Sequence, residues 1–178
     1  MLERCRLFLL IALGETILTT GAAIAGKPVT PLTALVGTAA LVGTVALWSL
    51  GFGRAGRLIE RYVAETRDPV RATHHAVGIL MVMVAGLIAT AVANEAAIAR
   101  PRDQTPTVVA VLLCGGPVLF LLAQGWYLRA LLHIRPRYHL VGGALLGGAA
   151  GIAVAIPAAA ALVLVAAGLT ALAWLDRP

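Results

Sequence analysis

A carboxylate sits where an apolar helix has least room for one, and that placement most constrains what this chain can fold into. Residues 5–26 carry only two charges, Arg6 and Glu15. At about 1.5 Å rise per residue the run is long enough to cross a bilayer, and Glu15 falls near its midplane. An acidic side chain is costly there unless it is paired or protonated. The run therefore predicts a transmembrane helix with a polar site or a helix-packing contact built into it.

The rest of the chain agrees with a bilayer. Hydrophobic residues make up 60% and charged residues only 12%, against roughly 25% charged in a soluble domain. The 14 Lys and Arg exceed the 8 Asp and Glu, but they stand at the ends of apolar runs, so they read as topology signals and not as a nucleic-acid surface. The expected fold is all-α, a polytopic transmembrane helical bundle of about six spans in a single transmembrane domain, residues 1–178. The expected spans are 5–26, 32–52, 72–98, 107–133, 140–156 and 158–175. Residues 54–71 hold five arginines, Glu60, Glu65 and Asp68, with Leu58, Ile59, Tyr62 and Val63 at helical spacing; they read as an amphipathic segment lying on the cytoplasmic surface. The last two spans are separated only by Pro157, which implies a tight proline turn. The N-terminus imitates a cleavable signal peptide, yet Glu15 would interrupt its apolar core, so the segment is expected to be retained.

With the N-terminus inside, one side receives Arg4, Arg6, the five arginines of 54–71, Arg129, Arg135, Arg137 and Arg177, and the other receives Lys27, Arg100 and Arg102. Such a bias predicts cytoplasmic termini in a multi-pass protein of the cell inner membrane. Gly142, Gly143, Gly147, Gly148 and Gly151 form small-xxx-small patterns suited to close helix contact. Cys5 and Cys114 are expected at opposite membrane sides, which excludes a disulfide between them. No metal-ligand spacing, phosphate-binding loop, Ser/His/Asp set or HExxH is present, so no metal and no cofactor is expected.

Residues 3–18 fill every position of the run E-R-x-x-L-F-x-x-I-x-L-G-E-[ST]-I-L. In this the chain resembles the bacterial low temperature requirement A family. Weaker echoes follow in family order at residues 86–95 and 115–122. The resemblance covers nearly the whole chain and corresponds to the C-terminal half of a typical member; the other half normally carries its own acidic motif, E-L-x-x-D-L-V-F. The family pattern W-W-x-Y-F-D becomes Trp48-Ser49-Leu50-Gly51-Phe52-Gly53, which loses the acid. The resemblance implies a membrane protein but carries no settled activity with it.

Glu15 leads the candidates, as a buried carboxylate able to exchange a proton or as interhelical glue. Thr19, at i+4, shares its face and is placed to hydrogen-bond it. Glu95 matches the family's acidic position and is expected to pair with Arg100 or Arg102. Gln124 must find a partner at membrane depth, either Glu15 or a water. Arg4, with Glu3, marks the cytoplasmic mouth of the first helix. His74 and His75 are expected to be wet at the start of the third span.

Three functions follow from this set. A permease or proton-coupled carrier half would use Glu15, Gln124 and the break at Gly115-Gly116-Pro117 to line a polar pathway. A non-catalytic membrane scaffold would use the same groups as glue. An enzyme acting on a lipid-like or isoprenoid substrate would need a second acid or base, which only Glu95 or a partner chain supplies. A half that buries Glu15 without a polar partner is expected to associate in the bilayer, as a homodimer or with a separately encoded N-terminal half, through the first and fifth helices.

Overall fold

The computed structural model describes residues 2–28, 30–53, 69–132 and 137–176, with side chains described for 7–28, 30–53, 77–130 and 137–176. The amphipathic reading of residues 54–71 falls outside the described residues except for the backbone at its end. Six helices follow in order: α1 (Leu2–Ala25), α2 (Pro31–Phe52), α3 (Pro69–Ala99), α4 (Thr107–Leu132), α5 (Arg137–Ala153) and α6 (Ala158–Leu175). No strand occurs among the described residues. Five of the helices are long and apolar enough to cross a membrane; α5, with 17 residues, is shorter. Its last turn ends at Ala153, so residues 154–157 form the connection to α6 in place of Pro157 alone.

Apolar residues occupy both the inside and the outside of the bundle. Phe120, Leu47, Leu87, Leu113 and Leu162 are fully buried, while Ile11, Leu18, Val108, Leu145 and Trp174 are exposed. An apolar exterior of this extent is stable only against lipid, and the chain is a multi-pass membrane protein. Its hydroxyls are satisfied inside their own helices. Thr16, Thr20, Thr44, Thr90 and Thr170 each donate to the carbonyl four residues back, at 2.7–3.0 Å. This is how hydroxyls are accommodated where water is absent.

Helix ends need separate partners for their unpaired N–H groups. Thr30 caps α2 by accepting from the Thr33 N–H at 3.1 Å, with Pro31 at the first helical position. Pro157, at the start of α6, offers no such side chain. The loop after α3 replaces it: the carbonyls of Asp103 and Pro101 accept the N–H groups of Ala158 and Ala159, each at 3.0 Å. Thr105 completes the clamp by donating its N–H and its hydroxyl to the Ile156 carbonyl, at 3.2 and 2.9 Å. The proline turn is thus held by a loop some fifty residues earlier in the chain.

Helix α4 runs unbroken through Pro117 and is the centre of the bundle, packed on α3 and α5. Helix α2 packs on α6, and α1 packs on α3 and, less extensively, on α2. Only 22% of the apolar window of α1 is buried, against 56% for α4. The helix that carries Glu15 is therefore the peripheral one.

Candidate functional site

Glu15 lies near the centre of the apolar span Leu7–Ala25, and Glu95 lies four residues before the end of the span Val77–Ala99. The far ends of these two helices are tied together: Lys27, two residues after α1, donates from Nζ to the Ala99 carbonyl at 2.5 Å. A lysine on the last carbonyls of a helix also meets the negative end of its dipole. With the ends tied, Glu15 sits roughly 15 Å below them and Glu95 about 6 Å below, from the rise per residue.

Between α1 and α3 runs a groove of about 350 Å³ that both carboxylates line, together with Thr16 and Thr19 and the apolar side chains Phe8, Ile11, Val84, Ile88 and Val92. It opens sideways, because Ile11, Ile88 and Val92 are exposed. Glu15 and Glu95 are themselves exposed to this groove and have no hydrogen-bond or ion-pair partner among the described residues. The expected pair between Glu95 and Arg100 or Arg102 does not form. Thr19 is in the groove too, but its hydroxyl donates to the backbone carbonyls of Glu15 and Thr16, at 2.9 and 3.1 Å, and not to the Glu15 carboxylate. The spacing correctly puts both residues on one face; the helix carbonyls are simply nearer acceptors. The side chain of Arg4 lies outside the described residues, as do those of His74 and His75.

Gln124 belongs to a second, separate polar cluster. Its Nε2 donates to the Leu50 carbonyl at 2.6 Å, and its Oε1 stands 3.2 Å from His139 Nε2. A carbonyl only accepts, so the Leu50 contact fixes the amide orientation, and the His139 Nε2 must then carry the proton it donates. Gln124 is 2% exposed and His139 4%. The expectation that Gln124 serves Glu15 is therefore corrected: α4 turns it toward the last turn of α2 and the first turn of α5, and there it satisfies an unpaired carbonyl at a helix end. His139 escaped the sequence reading; the signal that could have found it was the need of Gln124 for a buried partner.

A third polar position is Asn94, next to Glu95 in sequence but turned into the bundle, where it is buried. With Thr90 it lines a cavity of about 10 Å³ among α2, α4 and α6, room for one water. Among the described residues no group of three or more His, Cys, Asp or Glu is placed to hold a metal.

The bacterial low temperature requirement A protein family profile matches residues 1–174. The chain belongs to this family. An uncharacterized protein of Rhizobium meliloti (strain 1021) is 32% identical over 146 residues, which is 81% of this chain and 36% of that relative. This family member thus spans little more than a third of the relative it matches. No solved structure matches it. Within the family sequence run described above, Glu15 is the only carboxylate that reaches the groove among the described side chains.

Proposed function

We propose that this low temperature requirement A family protein is one half of a proton-coupled carrier of the bacterial inner membrane, with both termini cytoplasmic. The observation that carries this reading is the groove between α1 and α3, in which two carboxylates without a partner among the described residues line one apolar, laterally open space. Glu15 stands at mid-membrane depth and Glu95 about 9 Å nearer the Lys27 end, from the helical rise. A carboxyl group at that depth exchanges protons with a bound molecule or a water chain, and Glu95 leads from it toward the outer aqueous phase. Carrier sites are built where two repeats or halves meet near the midplane. A second half, supplied by a second copy or by a separately encoded partner, would adjoin the groove and leave part of its side open to lipid. Helix α5 offers another contact: a Cβ added at Gly147, Gly148 or Gly151 would meet nothing within 4 Å, so these glycines are free for a neighbouring helix.

Glu95 also supplies the second acid that a membrane enzyme would need. The groove is open, however, and lacks the enclosure that keeps a reaction from competing solvent. A scaffold reading leaves the two carboxylates without a purpose.

The test is proton movement in vesicles containing the purified chain, followed by a pH-sensitive dye under an imposed gradient. Glu15→Gln keeps size and hydrogen bonding but removes titration. Flux lost in Glu15→Gln, with normal expression and thermal stability, supports the carrier. Equal flux in the parent, Glu15→Gln and Glu95→Gln refutes it.

A further inference from the structure

We infer that the groove between α1 and α3 takes a hydrophobic organic cation, a substrate class that rests on the carrier reading above. The walls decide the chemistry. An inorganic cation such as Na⁺ or Ca²⁺ needs several oxygen ligands around it. Among the described residues the groove supplies two carboxylates as oxygen ligands, because the Thr16 and Thr19 hydroxyls already donate to backbone carbonyls. The remaining lining is apolar, with Ile11, Ile88 and Val92 at the open side. An ammonium or phosphonium centre with apolar arms matches both parts: the arms bury against the aliphatic walls, and the charge stands among the carboxylates in a medium of low dielectric. Phe8, seven residues before Glu15 on α1, adds an aromatic face to the lining, and a cation is attracted to such a face.

Access follows from the same geometry. A hydrophobic cation partitions into the bilayer, and the sideways opening lets it enter from lipid. Among the described residues no cationic side chain lines the groove; Lys27 is committed to the Ala99 carbonyl at its far end. Glu15 on α1 and Glu95 on α3 are the titratable groups that line it, and α2, the other helix packed on α1, carries none. A bound cation therefore occupies the same pair of carboxylates that the carrier reading assigns to the proton.

Equilibrium binding of radiolabelled tetraphenylphosphonium to the full chain in lipid nanodiscs tests this, with empty nanodiscs as background. Saturable binding is expected, with a loss of about tenfold or more in affinity in Glu15→Gln. Tetraphenylborate, of the same shape and opposite charge, should not compete. Ile88→Trp, a change on the lipid-facing rim that leaves the carboxylates intact, should block binding without lowering thermal stability. Absence of saturable binding, or binding indifferent to Glu15→Gln, Glu95→Gln and Ile88→Trp alike, overturns the cation site. Binding without pH-coupled flux in vesicles would leave the cation site standing and refute carriage. Flux that tetraphenylphosphonium neither drives nor inhibits would leave carriage standing and refute the cation.

Discussion

Replacing Gly116 by Ala adds one methyl group at a close helix crossing, where α3 and α4 meet glycine to glycine. A Cβ at Gly116 would stand 2.5 Å from Thr90 Oγ1, 2.7 Å from the Gly86 carbonyl oxygen and 2.9 Å from the Thr90 nitrogen. Two of these three atoms are backbone, and the third is held by its own bond to the Gly86 carbonyl at 2.8 Å. No rotamer change relieves them. The helices must instead part by roughly 1 Å to reach ordinary contact, which loosens fully buried Leu87, Leu113 and Phe120 on either side. Overpacking of this kind costs typically 1–3 kcal/mol, and the geometry here argues for the upper end, while Ala regains about 1 kcal/mol over Gly in helix propensity. The net expectation is a loss of about 2 kcal/mol, or roughly 4–8 °C in unfolding temperature for a chain of this size.

Thermal unfolding of the purified protein in mild detergent measures this, with Gly147→Ala as the matched control. Nothing lies within 4 Å of a Cβ at Gly147, so the control should unfold at the parent temperature or slightly above. Gly86→Ala should repeat the Gly116→Ala loss, since its Cβ would stand 2.6 Å from the Gly116 carbonyl oxygen. The double variant should cost less than the two losses added, because a single parting of the helices relieves both. A Gly116→Ala protein as stable as Gly147→Ala would refute the close-crossing argument.

Two further outcomes are expected. Gln124→Leu strands the Leu50 carbonyl and the His139 Nε2 in the core and should lower stability by about 2 kcal/mol; a double-mutant cycle with His139→Leu should show coupling of about 0.5–1.5 kcal/mol, and additive losses would mean that the Gln124–His139 bond contributes nothing. Cysteine labelling from outside the cell should modify a Cys placed at Asp103 and spare one placed at Glu65, and the reverse pattern would overturn the proposed orientation.

The class of fold was legible because it follows from local properties. Apolar runs of membrane length, prolines at their ends and a low content of charge require no knowledge of which helix touches which. The turn at Pro157 was legible only as a location. What holds it, the carbonyls of Pro101 and Asp103 on the first N–H groups of α6, depends on a loop brought in from far along the chain. Gln124 shows the same limit more sharply. Its depth demanded a partner, and the sequence offered Glu15 as the most conspicuous polar group. The partners are instead Leu50, 74 residues away, and His139, 15 away, because α1 lies at the edge of the bundle and α4 at its centre.

That correction changes what the two carboxylates mean. Had Gln124 reached Glu15, the acid would belong to the internal hydrogen bonding that holds the helices together, and its loss would register first as instability. The bundle meets that need without it. Threonine hydroxyls return to their own helices, and Gln124 and His139 satisfy each other and a helix end. Glu15 and Glu95 are left outside this economy, on the least buried helix and its neighbour, facing a space that is apolar, open and large enough for a small molecule. A carboxylate is costly at such depth, and the pair is assigned above to binding and not to holding the helices together. Under the carrier reading proposed above, stability and function separate in space: the crossing of α3 with α4 and the Gln124–His139 pair hold the bundle, and proton and ligand exchange would fall to the groove on its edge.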